Sequence, residues 1–192
     1  MLGFFIETAS EKGFAALYDE AARPLAYVRF LSADGALQQM ERLFQEASVD
    51  PSSLSYVGAG FGPGSFTGIR IGVMIARAFA FALKIPLVGL SSLSLYSEDL
   101  PVLVDARTGG VWGQFPGEEP ALMAPEQAIR GFQTLLTPNS RTLKPKLEKA
   151  GFKGELIESE PNAILIGKCL LEALKRDKKE IPEILYLRET FI

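Results

Sequence analysis

Gly62-Pro63-Gly64-Ser65-Phe66-Thr67-Gly68-Ile69-Arg70-Ile71-Gly72 follows the apolar run Ser55 to Gly60 and leads into an apolar stretch that continues to Leu83. The order is strand, glycine-rich turn, helix. Gly62 and Gly64 suit the turn, and Ser65 and Thr67 are of the residue types that cap a helix start. A Walker A loop would need Lys and then Ser or Thr after its last glycine, whereas Gly68 is followed by Ile69 and Arg70. A dinucleotide fingerprint would need an acid at the end of the next strand, which instead closes Gly89-Leu90-Ser91-Ser92. A third reading comes from spacing: Gly68, Gly72, Ala76 and Ala80 recur every four residues and lay one stripe of small side chains along the helix. Another backbone can approach closely there, with Ile69, Val73 and Phe79 supplying apolar area. Glycine inside a helix costs roughly 0.5–1 kcal/mol relative to alanine, so two of them ask for a compensating contact. The pattern leaves open whether that contact is the chain's own sheet or a partner.

Upstream, Leu2 to Thr8, Phe14 to Tyr18 and Leu25 to Phe30 are three short apolar runs joined by polar turns, which predicts an antiparallel meander. Asp34 is then read as the cap of a helix running to Ala47, with Leu37, Met40, Phe44 and Ala47 on one face. With Ser55 to Gly60, the helix after the glycine turn and Leu87 to Leu90, the order is βαβαβ, an α/β sheet covered by helices. Downstream, Val102 to Asp105 and Val111 to Phe115 read as a hairpin around Ala106 to Gly110. Helical patterns follow at Pro125 to Leu136, at Leu143 to Ala150 closed by Gly151, and at Asn162 to Arg176. No residue-level repeat is visible.

Composition removes whole classes of chemistry. The 192 residues are 47% hydrophobic with a formal charge of −3, and there is no histidine. Ser/His and Cys/His catalytic pairs and His-ligated zinc are therefore excluded. The single Cys169 forms no internal disulfide and is read as a small buried hydrophobe. Neither half is basic enough to hold nucleic acid unaided. The start carries no basic flank or long apolar core of a leader, and Arg70 and Arg77 interrupt the longest apolar stretch, so no membrane association and a cytoplasmic location are expected.

The glycine turn and the small-residue helix behind it resemble the signature of the TsaB (YeaZ) family, bacterial partners in tRNA threonylcarbamoyladenosine synthesis. Ile6-Glu7-Thr8-Ala9-Ser10, Gly89-Leu90-Ser91-Ser92-Leu93, Val104-Asp105-Ala106-Arg107 with Gly109 and Val111, and Tyr186-Leu187-Arg188 resemble family motifs in the same order. The likeness is strong to about Phe115 and thin between Pro116 and Pro182. It implies an α/β, actin-like (ASKHA, RNase H-like) fold of two lobes, residues 1–97 and a shortened 98–192. It also implies a non-catalytic subunit that binds and supports TsaD, joined by TsaE and ATP, in threonylcarbamoylation of the adenosine beside the tRNA anticodon. Members pair through the two first-lobe helices and self-associate through the same face, so a homodimer is expected for the chain alone, with tRNA met only through the complex. Carried onto this chain, the interface is Leu37, Met40, Phe44, Gly68, Ile69, Gly72, Val73 and Ala76, beside the turn residues Gly62, Gly64, Ser65 and Thr67. No metal site or tightly held cofactor is implied for this chain by itself; ATP and Mg enter only through the complex.

Two departures from the family pattern stand out: Glu7 replaces the usual Asp, and Phe30 to Asp34 lacks the usual histidine. The alternative reading, a stand-alone actin-fold nucleotide hydrolase or kinase, would use Glu7, Asp105 and Arg107 as nucleotide-cleft residues. The plainer reading has Asp105 capping its turn and Arg107 solvated or paired with a nearby acid. Ser65 and Thr67 lack a general base and are explained by capping. Lys144, Lys146, Lys149 and Lys153 read as a solvated helix face.

Overall fold

β1 (Leu2–Glu7) is apolar along almost its whole length because it is the middle strand of a sheet covered on both faces. The computed structural model describes residues 1–31, 35–107 and 109–176. β1 pairs antiparallel with β2 (Lys12–Tyr18), which pairs antiparallel with β3 (Pro24–Leu31), giving the expected meander. α1 (Ala36–Glu46) then crosses over to β4 (Leu54–Gly60), parallel to β1, and α2 (Phe66–Leu83) crosses to β5 (Leu87–Leu90), parallel to β4. The sheet order is β3-β2-β1-β4-β5. The cap assigned to Asp34 lies outside the described residues, as do the motif at Tyr186 to Arg188 and Thr108 of the hairpin turn. α1 itself opens at Gly35 without a side-chain cap.

The second half repeats the plan with shorter strands. β6 (Val102–Asp105), β7 (Val111–Gln114) and β8 (Ala121–Met123) form an antiparallel meander. A single helical turn, α3 (Pro125–Ala128), leads to β9 (Thr134–Thr137), parallel to β6. α4 (Ser140–Lys149) leads to β10 (Glu155–Glu158), parallel to β9. The order β8-β7-β6-β9-β10 matches the first sheet strand for strand. This is the two-lobe, actin-like α/β architecture, and it contains a duplication of topology that no residue-level repeat announces.

The helix expected over Pro125 to Leu136 is corrected to one turn followed by a strand. Ala128, Ile129, Phe132, Leu135 and Leu136 imitate helical spacing. Gly131 at φ +81° ends the helical path, and Leu135 and Leu136 are buried as alternate faces of β9. β8 and β10 were likewise invisible, being strands of only three and four residues.

Among the described residues three apolar cores hold the elements together. One lies between the first sheet and α1 and α2, with Phe4, Ile6, Met40, Phe44, Ile69 and Val73 among its members. Another lies under α3 and α4. The third joins the lobes: Phe5, Phe14 and Tyr18 meet Trp112 and Leu136 of the second sheet and Ile166 and Leu170 of α5 (Ala163–Lys175). α5 belongs to the second half of the sequence but packs on β3 and β5 of the first sheet. Asn162 caps it by accepting from the Ile164 and Leu165 amides. Lys12–Glu158 and Arg29–Glu160, both at 2.6 Å, add ion pairs between the halves.

Candidate functional site

The glycine turn is tied to its surroundings at both ends. Gly62 donates its N–H to Ser92 Oγ at 3.0 Å and accepts from the Ser92 N–H at 2.8 Å. Its peptide to Pro63 is cis, and the Ser65 N–H donates to the Ala9 carbonyl at 2.7 Å. Ser65 then caps α2 through the Gly68 N–H, as its residue type suggested. α2 leaves this turn crossing the end of β1 at very short range. A Cβ at Gly68 would lie 2.0 Å from the Thr8 carbonyl oxygen, and one at Gly72 would lie 2.2 Å from Thr8 Oγ1. Thr8 Oγ1 itself donates to the Gly68 carbonyl at 2.7 Å.

The neighbour of the small-residue stripe is therefore the chain's own strand. Gly68, Ile69, Gly72, Val73 and Ala76, read from sequence as an outward interface, are all buried. The glycines are small because β1 passes beneath them, and their positions offer no surface to a partner. Of the α1 residues expected at the interface, Leu37 is 66% exposed, while Met40 and Phe44 are buried.

What α2 does present outward is a different stripe. Phe66, Met74 and Phe81 are exposed, Met74 by 60% and Phe81 by 87%, with Ile71 half-buried and Ala78 exposed between them. Between α1 and α2 runs an apolar groove of about 550 Å³ lined by Leu37, Met40, Phe44, Val49 and Phe79. Phe44 and Phe79 stack there with ring centres 6.0 Å apart. By length and composition α2 could cross a membrane, but its glycine face is seated on β1, and Ser65 and left-handed Lys84 cap its ends within the fold. Arg70, placed over the Phe66 ring at 5.0 Å, and Arg77 are exposed on the same outward side, between Phe66 and Phe81, and α2 carries no acidic residue. The sequence held a signal for this face: besides its small stripe α2 carries Phe66, Met74 and Phe81, more apolar residues than one buried side requires. Exposed apolar side chains grouped in this way mark a site of association.

A second concavity of about 440 Å³ lies between the lobes, lined by Thr8, Ser10, Thr67, Asp105, Arg107 and Asn139 among others. Two of the three expected nucleotide-cleft residues, Asp105 and Arg107, are brought together there. Arg107 has φ +58° and donates its N–H to Asp105 Oδ1 at 2.9 Å. The same carboxylate is held by Lys146 Nζ, which also donates to the Gly110 carbonyl at 3.0 Å. Lys146 is thus a half-buried tether, a correction to its reading as part of a solvated face, whereas Lys144, Lys149 and Lys153 are exposed. Glu7 is not in the cleft. It is 1% exposed and turned into the core beside Gly60 and Ser92. Burial pushes its carboxyl above the usual range, outweighing the opposite pull of the nearby Ser92 hydroxyl and of the Ala9 and Thr8 amides.

Glu7 is internal and Asp105 is engaged by Lys146 and by the Arg107 amide, while Glu11 also lines the cleft. Among the described residues no cluster of three or more acids and cysteines could hold a metal. Cys169 on α5 is a free, half-buried thiol whose surroundings push its pKa up, so it is poorly suited to nucleophilic work.

Comparisons with known proteins place these features in context. The family described as TsaD, tRNA N6-adenosine threonylcarbamoyltransferase, matches residues 33–113. A protein of Buchnera aphidicola subsp. Schizaphis graminum, named tRNA threonylcarbamoyladenosine biosynthesis protein TsaB, is 35% identical over 89 residues, 41% of this chain and 42% of that one. The Bacillus subtilis protein of the same name is 30% identical over 117 residues, 56% of this chain and 51% of that one. The chain spans about half the length of these curated relatives, or less. Among solved structures, a Pseudomonas aeruginosa protein described as uncharacterized with similarity to peptidase YeaZ superposes with a TM-score of 0.78 at 22% identity, covering 97% of this chain and 99% of that one. YeaZ from Pseudomonas aeruginosa gives 0.74, also at 22% identity, over 91% and 92%. These two share the fold.

Proposed function

We propose that the chain is a member of the TsaB (YeaZ) family and, as such, a non-catalytic partner subunit in the synthesis of threonylcarbamoyladenosine in tRNA. It docks on the threonylcarbamoyltransferase TsaD and supports it, with TsaE, ATP and magnesium acting in the assembled complex and tRNA met only there. The observation that carries the reading is exposed apolar surface on the two first-lobe helices: Met74 and Phe81 on the outer side of α2, and Leu37 at the apolar groove beside α1. This replaces the small-residue stripe as the docking surface. Burying such side chains stabilises an interface by about 25 cal/mol per Å² of apolar area removed from water. The arginines edging α2 favour a partner with acids around an apolar centre.

The absence of histidine, and of a metal-holding cluster among the described residues, speaks against histidine- or metal-dependent peptide hydrolysis. Complementarity of surfaces is then what this subunit contributes, and its place is where the tRNA-modifying complex works, the cytoplasm. In the absence of TsaD the same face pairs with a second copy. The test is gel filtration of the chain with TsaD, comparing wild type with Met74→Arg and Phe81→Glu. Loss of the complex with unchanged circular dichroism of the variant chain supports the reading. A complex that persists in both variants overturns it.

A further inference from the structure

Glu7 ends the central strand of the first lobe, and nothing in the partner-subunit reading uses it. Its Oε1 accepts the Ala9 N–H, closing the turn after β1. Its Oε2 is buried and has no hydrogen-bond partner among the described residues. That oxygen lies against Gly60, where a Cβ would come within 1.8 Å of Oε2 and 2.8 Å of Ser92 Oγ. Glu7 and Ser92 thus flank the same glycine Cα. Ser92 is the residue that grips Gly62 from both its N–H and its hydroxyl oxygen, and Gly62 opens the turn from which α2 springs.

An ionised carboxylate in this place would be an unpaired buried charge, which proteins avoid by pairing it or by holding a proton. No lysine or arginine among the described residues offsets it. The groups that face it are the Thr8 and Ala9 amides from its own turn, Gly60 from β4, Ser92 from the segment after β5, and Tyr96 beyond that. Tyr96 is buried, and its phenol is pushed well above the usual range, so it stays neutral and supplies no counter-charge. A protonated Glu7 resolves the conflict: Oε1 keeps the Ala9 N–H, and the Oε2 hydroxyl becomes a donor beside Ser92 Oγ, which has a second lone pair for it.

We propose that the folded chain holds Glu7 as the neutral carboxylic acid, its Oε2 hydroxyl donating to Ser92 Oγ. This does not depend on the reading of α2 as the partner-binding helix. The linkage has a definite sign. A carboxyl whose folded pKa is raised favours the folded state fully at low pH, and that contribution is lost as pH climbs from the ordinary carboxylate value through the folded one.

The direct test follows the Glu7 carboxyl carbon by NMR in the full chain without partner, titrated from pH 3 to 9. A midpoint above the ordinary glutamate range supports the proposal, and a midpoint at or below it overturns the proposal. Glu7→Gln supplies an independent arm, because the amide copies the shape of the acid with a permanent N–H donor. The variant is expected to unfold at a temperature at least equal to wild type at pH 8 and to flatten the decline of wild-type stability between pH 5 and 8. A Glu7→Gln chain that is less stable than wild type at every pH, with a parallel profile, overturns it. Both readouts are taken on the chain alone, so a failure here is distinct from a failure of TsaD docking, which the Met74→Arg and Phe81→Glu variants report.

Discussion

Gly72→Ala adds one methyl group where α2 crosses β1, and its cost is worked from three contributions. Alanine favours a helix interior by about 1 kcal/mol over glycine, which would stabilise the variant. Against this, the new Cβ would sit 2.2 Å from Thr8 Oγ1, an overlap of the kind that costs about 1–3 kcal/mol. Thr8 can escape only by rotating, which breaks its 2.7 Å hydrogen bond to the Gly68 carbonyl, a further 0.5–1.5 kcal/mol or about that. The net expectation is a loss of about 1–3 kcal/mol. The same substitution made in a Thr8→Ala background meets no hydroxyl, so helix propensity alone should act and Gly72→Ala should become neutral or stabilising. Urea unfolding of the four chains, with unchanged slope, gives the coupling energy, expected at about 2–4 kcal/mol once the helix-propensity gain of about 1 kcal/mol is added to the net cost. An equal cost of Gly72→Ala in both backgrounds would refute the assignment of this glycine to the β1 crossing. It would reopen the outward-interface reading that its spacing first suggested.

Gly68→Ala should be worse than Gly72→Ala, by about 1 kcal/mol or more in the same unfolding assay, because the atom it meets is the Thr8 backbone carbonyl, which cannot rotate away. Leu170→Ala, in the core that joins the lobes, should cost about 2–5 kcal/mol and lower the urea midpoint accordingly. Glu158, held by Lys12 and by Ser140, has its carboxyl pulled down to about 2; its contribution is present above the ordinary glutamate value and lost as pH falls from there through about 2. Glu158→Gln should therefore lower stability at pH 7 and flatten the acid limb of the profile, the two chains converging as pH falls to about 2. Calorimetry of the chain with magnesium and ATP should give no saturable heat, whereas clear binding would favour the nucleotide-hydrolase alternative.

The first lobe was legible because its elements are long enough to show their period. β1 to β4 run six to eight residues, and α2 is announced by a turn of small residues with capping types behind it. The second lobe hid three strands of three or four residues, too short for alternation to stand out, and Gly131 was the residue that separated the α3 turn from β9. In the site, spacing correctly demanded a close neighbour for Gly68 and Gly72 but carried no information on which backbone that was. Glu7 and Asp105 look equivalent as acids at strand ends, yet one extra methylene and the vacancy above Gly60 turn Glu7 inward. The outward face of α2 was overlooked because Met74, Ala78 and Phe81 are interleaved with the small stripe, and only burial separates the two.

A photo-activated benzophenone side chain placed at position 81, on the most exposed aromatic of α2, reports directly what that helix touches in the assembled state. Position 25 on β3, exposed in wild type, serves as the comparison on the far edge of the first sheet. Illumination of the chain mixed with TsaD should yield a covalent adduct from position 81 and none from position 25. Adduct from position 25 with none from position 81 would contradict docking through α1 and α2.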